Sequence, residues 1–459
     1  MAQTQTPTPA PTLRISGAVR TVVDEDTERD GDLLVRDGFV VGADGDGTDG
    51  EDRDGDGTDW DGTVETLDAT DAVVTPGLIN AHHHLLQSAF RTLPGTRGVP
   101  MATWLPTMAA AYADAGIDAS LLAASAAAGV AEGLLNGVTT VADHHLNWPL
   151  EASVDDLTAV ARATADAAAR LGGRLVFVRG SARDAATDAA ESAEAIVRAL
   201  VPGAVGGVRA DGMLQVAVGP AGVHSDSRET FEALGEIAAR HGLRRRTQAN
   251  EQVDTAIALE RYGRRPIDLL DEWGWLGPDV TVAHLCDVTP DEIARLAAAG
   301  VTATHAPGCD LPMGWGISPV AALREAGAPV GLGTSGGGSN DAGHLLADAR
   351  LAMQVAPLVG PPLSARAVLG MATAGGARGL GRPELGHLRP GAAADLCVWD
   401  IGGVADAGVA DPVAGLLWAS PGRRPRHVVV AGRVVVRDYA LVNADERELV
   451  AAVRARVGR

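Results

Sequence analysis

The segment PGLINAHHHLLQS sets His82 and His84 two residues apart, directly after an apolar run. On an extended strand alternate residues share a face, so both imidazoles project to one side. Two imidazoles on one rigid strand can reach one divalent metal, and their position behind a buried run favours ligands over a surface cluster. A second run, TTVADHH, ends in Asp143, His144 and His145. These three suit partners that orient a ligand, substrate contacts, or caps of the next helix, and the alternatives stay open. Further apolar runs end in His284 and His305, and another precedes SGGGSND. One His at a strand end says little. Several strands that end this way point to a common face with chemistry on it.

The elements that must carry these groups are legible as eight apolar runs: AVVTPGLINAH, VTTVAD, RLVFVRG, LQVAVGP, RRRTQAN, VTVAHL, VTATHAP and VGLGTS. Ala/Leu-rich helical stretches separate them, the signature of repeated βα units and a parallel sheet. Eight such units predict a closed (β/α)8 barrel, an α/β fold that gathers its functional residues where the strands run out. Near the termini the pattern changes. LRISGAVRTVV and DLLVRDGFVVG alternate with period two, as do ADLCVWD and HVVVAGRVVVRD, the last a hairpin about Ala431 and Gly432. We expect a small composite β-sandwich domain from residues 13–75 and 382–459, a barrel over 76–381, and an unordered start at 1–12.

Composition sets the partner classes. With 459 residues, 46% hydrophobic, the chain can fill one large barrel and a satellite. A net charge of -21 opposes nucleic-acid polymers and anionic membranes. Part of that charge lies in residues 43–62, a tract of Asp, Glu, Gly and Thr that reads as a solvated loop and satisfies neither register of a calcium loop. Cys286, Cys309 and Cys397 are dispersed, which argues against a disulfide framework and fits a reducing cytoplasm. The first residues lack the basic start and apolar core of a signal peptide, and no run approaches a membrane span.

PGLINAHHH, GVTTVADHH, the sixth-strand His284, GSND and ELGHLRPGAAADLCVWD together resemble the amidohydrolase superfamily, in its 8-oxoguanine deaminase and triazine hydrolase branch. The resemblance implies a barrel enzyme that hydrolyses an exocyclic C–N bond on a small purine, pyrimidine or triazine, with related barrels often forming homo-oligomers. It implies one Zn or Fe divalent ion held by His82, His84, a His ending the fifth strand and an Asp ending the eighth. Glu251 would shuttle protons and His284 would orient water or polarise the substrate. The loop after the seventh strand would read substrate through Asp310 and Trp315, whose indole suits stacking on a heterocycle or plain loop packing. Cys309 has no paired base and is not expected to act as a nucleophile. Gln87, His144, His145 and His305 are further candidates for substrate contact.

Two positions depart from that pattern. The fifth strand reads TQANEQ, so Gln248 occupies the place of the ligand His, and GLGTSGGGSND puts Ser335 in the place of the ligand Asp. Neutral amide and hydroxyl oxygens are poor zinc donors, so both residues become substrate-contact candidates. Three functions remain open: a deaminase whose remaining histidines hold a metal, a metal-independent hydrolase, eliminase or ring-rearranging enzyme, and a silent binding protein. A retained Glu251 argues against the last.

Overall fold

The computed structural model describes residues 10–43 and 64–458. Most of the expected unordered start, and all of the acidic tract beyond Ala43, lie outside the described residues, while Thr12 already opens a strand, Thr12–Ser16. Nine parallel segments make one continuous sheet in sequence order, and it closes on itself. Two of the nine, Val330–Leu332 and Ser335–Gly336, are halves of the eighth strand; the second pairs with the first strand, Ser335 opposite His83. The other strands are Leu78–His84, Val138–His145, Arg174–Ser181, Leu214–Pro220, Arg245–Ala249, Val280–His284 and Thr302–His305, numbered first to seventh below. The expected (β/α)8 barrel is therefore present.

Alternation along each strand decides what fills the two faces. Val141, Phe177, Val216, Val280 and Val282 pack outward on the helices, whereas Ile79, Ala142, Val176, Val178 and Ala217 fill the lumen below the site. The helices between strands start and stop on local signals. Helix Val154–Leu171 opens on a capping box between Ser153 and Asp156 and stops at left-handed Gly172; helix Pro290–Ala298 opens on the same device between Thr289 and Glu292.

The two termini meet in two satellite sheets. One combines Phe39–Ala43, Leu33–Arg36, Thr12–Ser16 and Val64–Asp68; the other joins Ala72–Pro76 to Leu396–Asp400 and His427–Val430. Leu13, Ile15, Leu33, Val35, Val74, Leu396 and Val398 fill the space between them, as in a sandwich. The run AVVTPGLINAH, expected as one strand, divides here: Ala72–Pro76 belongs to the satellite and Leu78–His84 to the barrel. Gly77 is the joint, because a Cβ there would fall 2.3 Å from Thr139 Oγ1. Its N–H donates to the carbonyl of Asp395 at 2.9 Å, and the buried Asp395 carboxylate takes Arg174 of the third strand at 2.7 and 2.9 Å. Barrel and satellite are thus joined by a paired, buried charge as well as by apolar contact.

Candidate active site

The first strand is irregular where it carries chemistry: its register with the second strand shifts between Asn80 and His83. His83 turns to Thr334, with Nδ1 2.9 Å from Oγ1, while His82 and His84 share the lumen with ring centroids 4.9 Å apart. His84 Nδ1 lies 2.7 Å from the carbonyl of His144 and must donate to it, which leaves the lone pair on Nε2. By the same logic His144 donates Nε2–H to the carbonyl of Gly219 at 2.8 Å and keeps its lone pair on Nδ1. Burial holds these imidazoles neutral, with His84 at about 4, His144 at about 3 and His82 well below its ordinary value.

His284 closes the other side. Its backbone is left-handed at φ 76°, which swings the ring from the outward alternation of Val280 and Val282 into the lumen, 5.2 Å from the His82 ring. Nδ1 is 2.6 Å from Asp310 Oδ1 and Nε2 is 3.1 Å from Gln248 Oε1. Gln248 Nε2 donates to the carbonyl of Ala221 at 3.2 Å, which fixes its oxygen toward His284. Burial opposes a charge on His284, but Asp310 and then Glu251 outweigh it and the imidazole pKa is raised. Burial would raise Asp310 as well, yet His284 and His305 hold it at about 2.

Glu251 sits between two left-handed residues, Asn250 and Gln252, in a loop that Asp254 pins by accepting the Asn250 and Glu251 N–H groups at 2.7 and 2.5 Å. Its Oε1 is 3.7 Å from His284 Nε2 and its Oε2 has no partner. Burial pushes this carboxyl up to about 8. Two acceptors, one of them the Asp310 carboxylate, thus favour a proton on both nitrogens of His284, while burial favours the protonated form of Glu251 and the neutral forms of His82 and His84. Positive-φ backbone at Asn250, Gln252 and His284, where the fifth and sixth strands run out, supports the same location for function.

The remaining candidates separate. Trp315 stands edge-on to His284 at 5.0 Å, and His305 Nδ1 is 3.7 Å from Asp310 Oδ2, so both border the cluster. His145 is turned away: it packs between Trp148 at 4.5 Å and Phe177 at 5.7 Å, on the outward face. Adjacent residues of a strand point to opposite sides, so His144 and His145 could not both enter the lumen. Gln87 is engaged elsewhere, accepting the Gly338 N–H at 3.0 Å against a loop where a Cβ on Gly336 would fall 1.9 Å from its Oε1. Ser335 is buried at φ 52° beside the Cys309 thiol, which burial raises.

Two residues escaped sequence reasoning: buried Arg246 reaches into the lumen from the fifth strand, and half-buried His224 packs at Gly222, which the Gln248 carbonyl also approaches. For Arg246 the signal was an Arg in alternate register with Gln248, concealed within Arg244-Arg245-Arg246.

Whether the residues suit a divalent ion can be judged from their donors. His84 Nε2 and His82 Nε2, a buried atom with no partner, are free to ligate. Gln248 turns its only acceptor to His284, and Ser335 supplies no carboxylate. Among the described residues the one trio of His, Cys, Asp or Glu atoms mutually within 4.8 Å is His284, Cys309 and Asp310, on the far side of His284 and already an ion pair. Two imidazoles from a single strand do not make the closed or three-protein-ligand set that zinc takes. The site does not fit the expected resident metal.

Comparison with known proteins agrees with this architecture. The signature described as Amidohydrolase family matches residues 73–435. The chain is 34% identical over 406 residues to 8-oxoguanine deaminase of Pseudomonas aeruginosa, covering 84% of this chain and 87% of that one. It is 31% identical over 416 residues to isoxanthopterin deaminase from an unknown prokaryotic organism, covering 83% and 84%. The crystal structure of atrazine chlorohydrolase TrzN from Arthrobacter aurescens complexed with zinc superposes with a TM-score of 0.87 at 34% identity, over 97% of this chain and 100% of that one. Among the described residues no single helix is long and apolar enough to cross a membrane.

Proposed function

The chain belongs to the amidohydrolase family and is a hydrolase of C–N bonds, and on that premise we propose that it removes an exocyclic amine from a small N-heterocycle by a route that uses its own acids and bases. The observation that carries this is the buried chain Asp310, His284, Gln248 with Glu251 3.7 Å from the same imidazole. Purine-type, pterin-type and triazine-type rings are the substrate classes, since the relatives named above act on 8-oxoguanine, isoxanthopterin and atrazine.

Protonated Glu251 gives its proton to the ring nitrogen beside the aminated carbon, which draws electrons from that carbon. A water attacks the carbon while His84 Nε2 takes one of its protons. The His284 cation faces this space and stabilises the oxygen as charge develops. In the second half His84 returns its proton to the amine, Glu251 takes the hydroxyl proton, the C–N bond breaks and ammonia leaves. Both residues recover their starting state. Trp315 would flank the ring.

Ammonia release from a panel of aminated purines, pterins and triazines tests the proposal, with Glu251→Gln as the inactive control. If neither the parent nor the variant alters any panel member, the deaminase assignment fails. The alternative route, through a zinc or iron ion held by His82 and His84, has only the unpartnered His82 Nε2 in its favour against an incomplete ligand set. One metal equivalent in purified protein, with activity lost on chelation and restored by zinc, would establish it instead.

A further inference from the structure

Arg246 is a full charge in the barrel lumen with nothing to neutralise it. It leaves the fifth strand on the same face as Gln248, two residues deeper. Its Nη2 donates to the carbonyl of Ala81, the residue before His82 on the first strand. In an eight-stranded barrel the first and fifth strands are opposite one another, so the guanidinium spans the lumen and forms the floor beneath His82 and Gln248. It is 2% exposed, Nη1 has no partner, and no carboxylate pairs with it among the described residues. Burial followed by the nearby Arg244 cation draws the group down to about 9, and Arg246 in turn depresses His82 and His144.

Such a charge is costly to bury. Donation to one carbonyl does not require it, because a neutral Gln could satisfy Ala81 without desolvating a cation. The neighbouring residues indicate what the charge accomplishes. Ser335 and Gln248 stand where the resemblance puts a carboxylate and an imidazole, so neither offers a divalent cation the donor it needs, and Arg246, two residues from Gln248 on the same strand face, adds a positive charge beside His82. With Asp310 and His284 cancelling, and Glu251 neutral, the site keeps a net positive charge from Arg246.

We propose that Arg246 is a resident cation that takes the electrostatic place of a divalent metal and excludes one from the floor of the site. It follows that restoring the two missing ligands is insufficient to restore the metal. The inference uses the location of the site and not the identity of the reaction, and its test reads metal rather than turnover, so failure of the deaminase assignment leaves it intact.

The experiment compares zinc affinity of full-length chains by chelator competition, alongside zinc per chain after dialysis. The chains are the parent, Gln248→His with Ser335→Asp, and that pair combined with Arg246→Gln, Arg246→Met or Arg246→Lys. The expected result is zinc binding at least tenfold tighter in the Gln or Met triple variant than in the double variant, with the Lys variant close to the double. Equal affinity of double and neutral triple variants overturns the proposal. So does relief by Lys equal to that by Gln, since the shape and not the charge would then matter. Thermal unfolding identifies which neutral variant is folded, and either one suffices.

Discussion

His284 stands between two acceptors, Asp310 Oδ1 at 2.6 Å from Nδ1 and Gln248 Oε1 at 3.1 Å from Nε2. An imidazole that donates from both nitrogens is an imidazolium, and one so engaged has no lone pair for a metal. Gln248 is therefore a partner of His284 as much as a lost ligand.

The pair makes Asp310→Asn informative. The variant leaves a buried cation without its anion, which costs about 3–5 kcal/mol in stability, or else His284 gives up its proton. We expect kcat to fall by roughly 10²–10⁴-fold with KM changed far less, and the urea midpoint to drop. Steady-state kinetics and urea unfolding check both. Wild-type kcat in a folded Asp310→Asn protein would remove the imidazolium from the reaction.

Glu251 sets the alkaline limit. Its carboxyl, raised by burial to about 8, carries the proton required for donation at neutral pH and loses it above. Activity should fall roughly tenfold per pH unit beyond about 8. Because the folded value lies above the ordinary 4.5, the proton stabilises the fold fully below the unfolded value, and this contribution disappears as pH rises through the folded value. At pH 9 Glu251→Gln should therefore be the more stable protein, by on the order of a few kcal/mol. A pH profile of kcat/KM and denaturation at pH 6 and 9 test the two halves. A flat profile to pH 10 is incompatible with the assigned proton donor.

Chelation separates this site from that of the zinc-containing neighbour. After exhaustive dialysis against a strong chelator, the chain should keep its activity within about twofold, and added Zn²⁺ should not raise it. Metal analysis of the same samples gives the stoichiometry. Activity that tracks bound metal would overturn the metal-independent route.

How much of this was legible depends on whether one strand or several decide the outcome. The eight runs and the His-bearing ends were readable because each is set by local apolar patterning. Gly77 was not: both halves of AVVTPGLINAH are apolar, and only the packing of Thr139 reveals that the chain changes sheet there. The three arginines of the fifth strand look alike in sequence. In the fold Arg244 reaches the carbonyl of Pro278, Arg245 pairs with Asp279, and Arg246 alone enters the lumen. His144 and His145 likewise differ only by parity, which becomes decisive once the strand's register in the barrel is known.

Arg174 and Asp395 give a prediction about the frame. Both are almost fully buried and doubly hydrogen-bonded across barrel and satellite. Asp395→Ala should cost about 3–5 kcal/mol by stranding the guanidinium, whereas replacing both partners with apolar residues should cost distinctly less. A double-mutant cycle by chemical denaturation measures the difference.

Gln87, expected from sequence to contact substrate, anchors a loop instead. Its Oε1 accepts the Gly338 N–H, and the loop lies so close that any side chain at 336 would meet it. Trp104 donates to the carbonyl of the same Gly338 at 3.0 Å, so the loop is held from two sides. If Gln87 acts through the loop, Gln87→Leu and Trp104→Phe should share one phenotype: weaker substrate binding, kcat nearly unchanged, and faster proteolysis within 336–341. A direct contact would separate them, because Trp104→Phe would leave KM alone while Gln87→Leu raised it. Loss of one buried hydrogen bond is worth about 1 kcal/mol, so the expected rise in KM is roughly fivefold for each. Kinetics of both variants on one substrate, with limited proteolysis alongside, decide between the two roles.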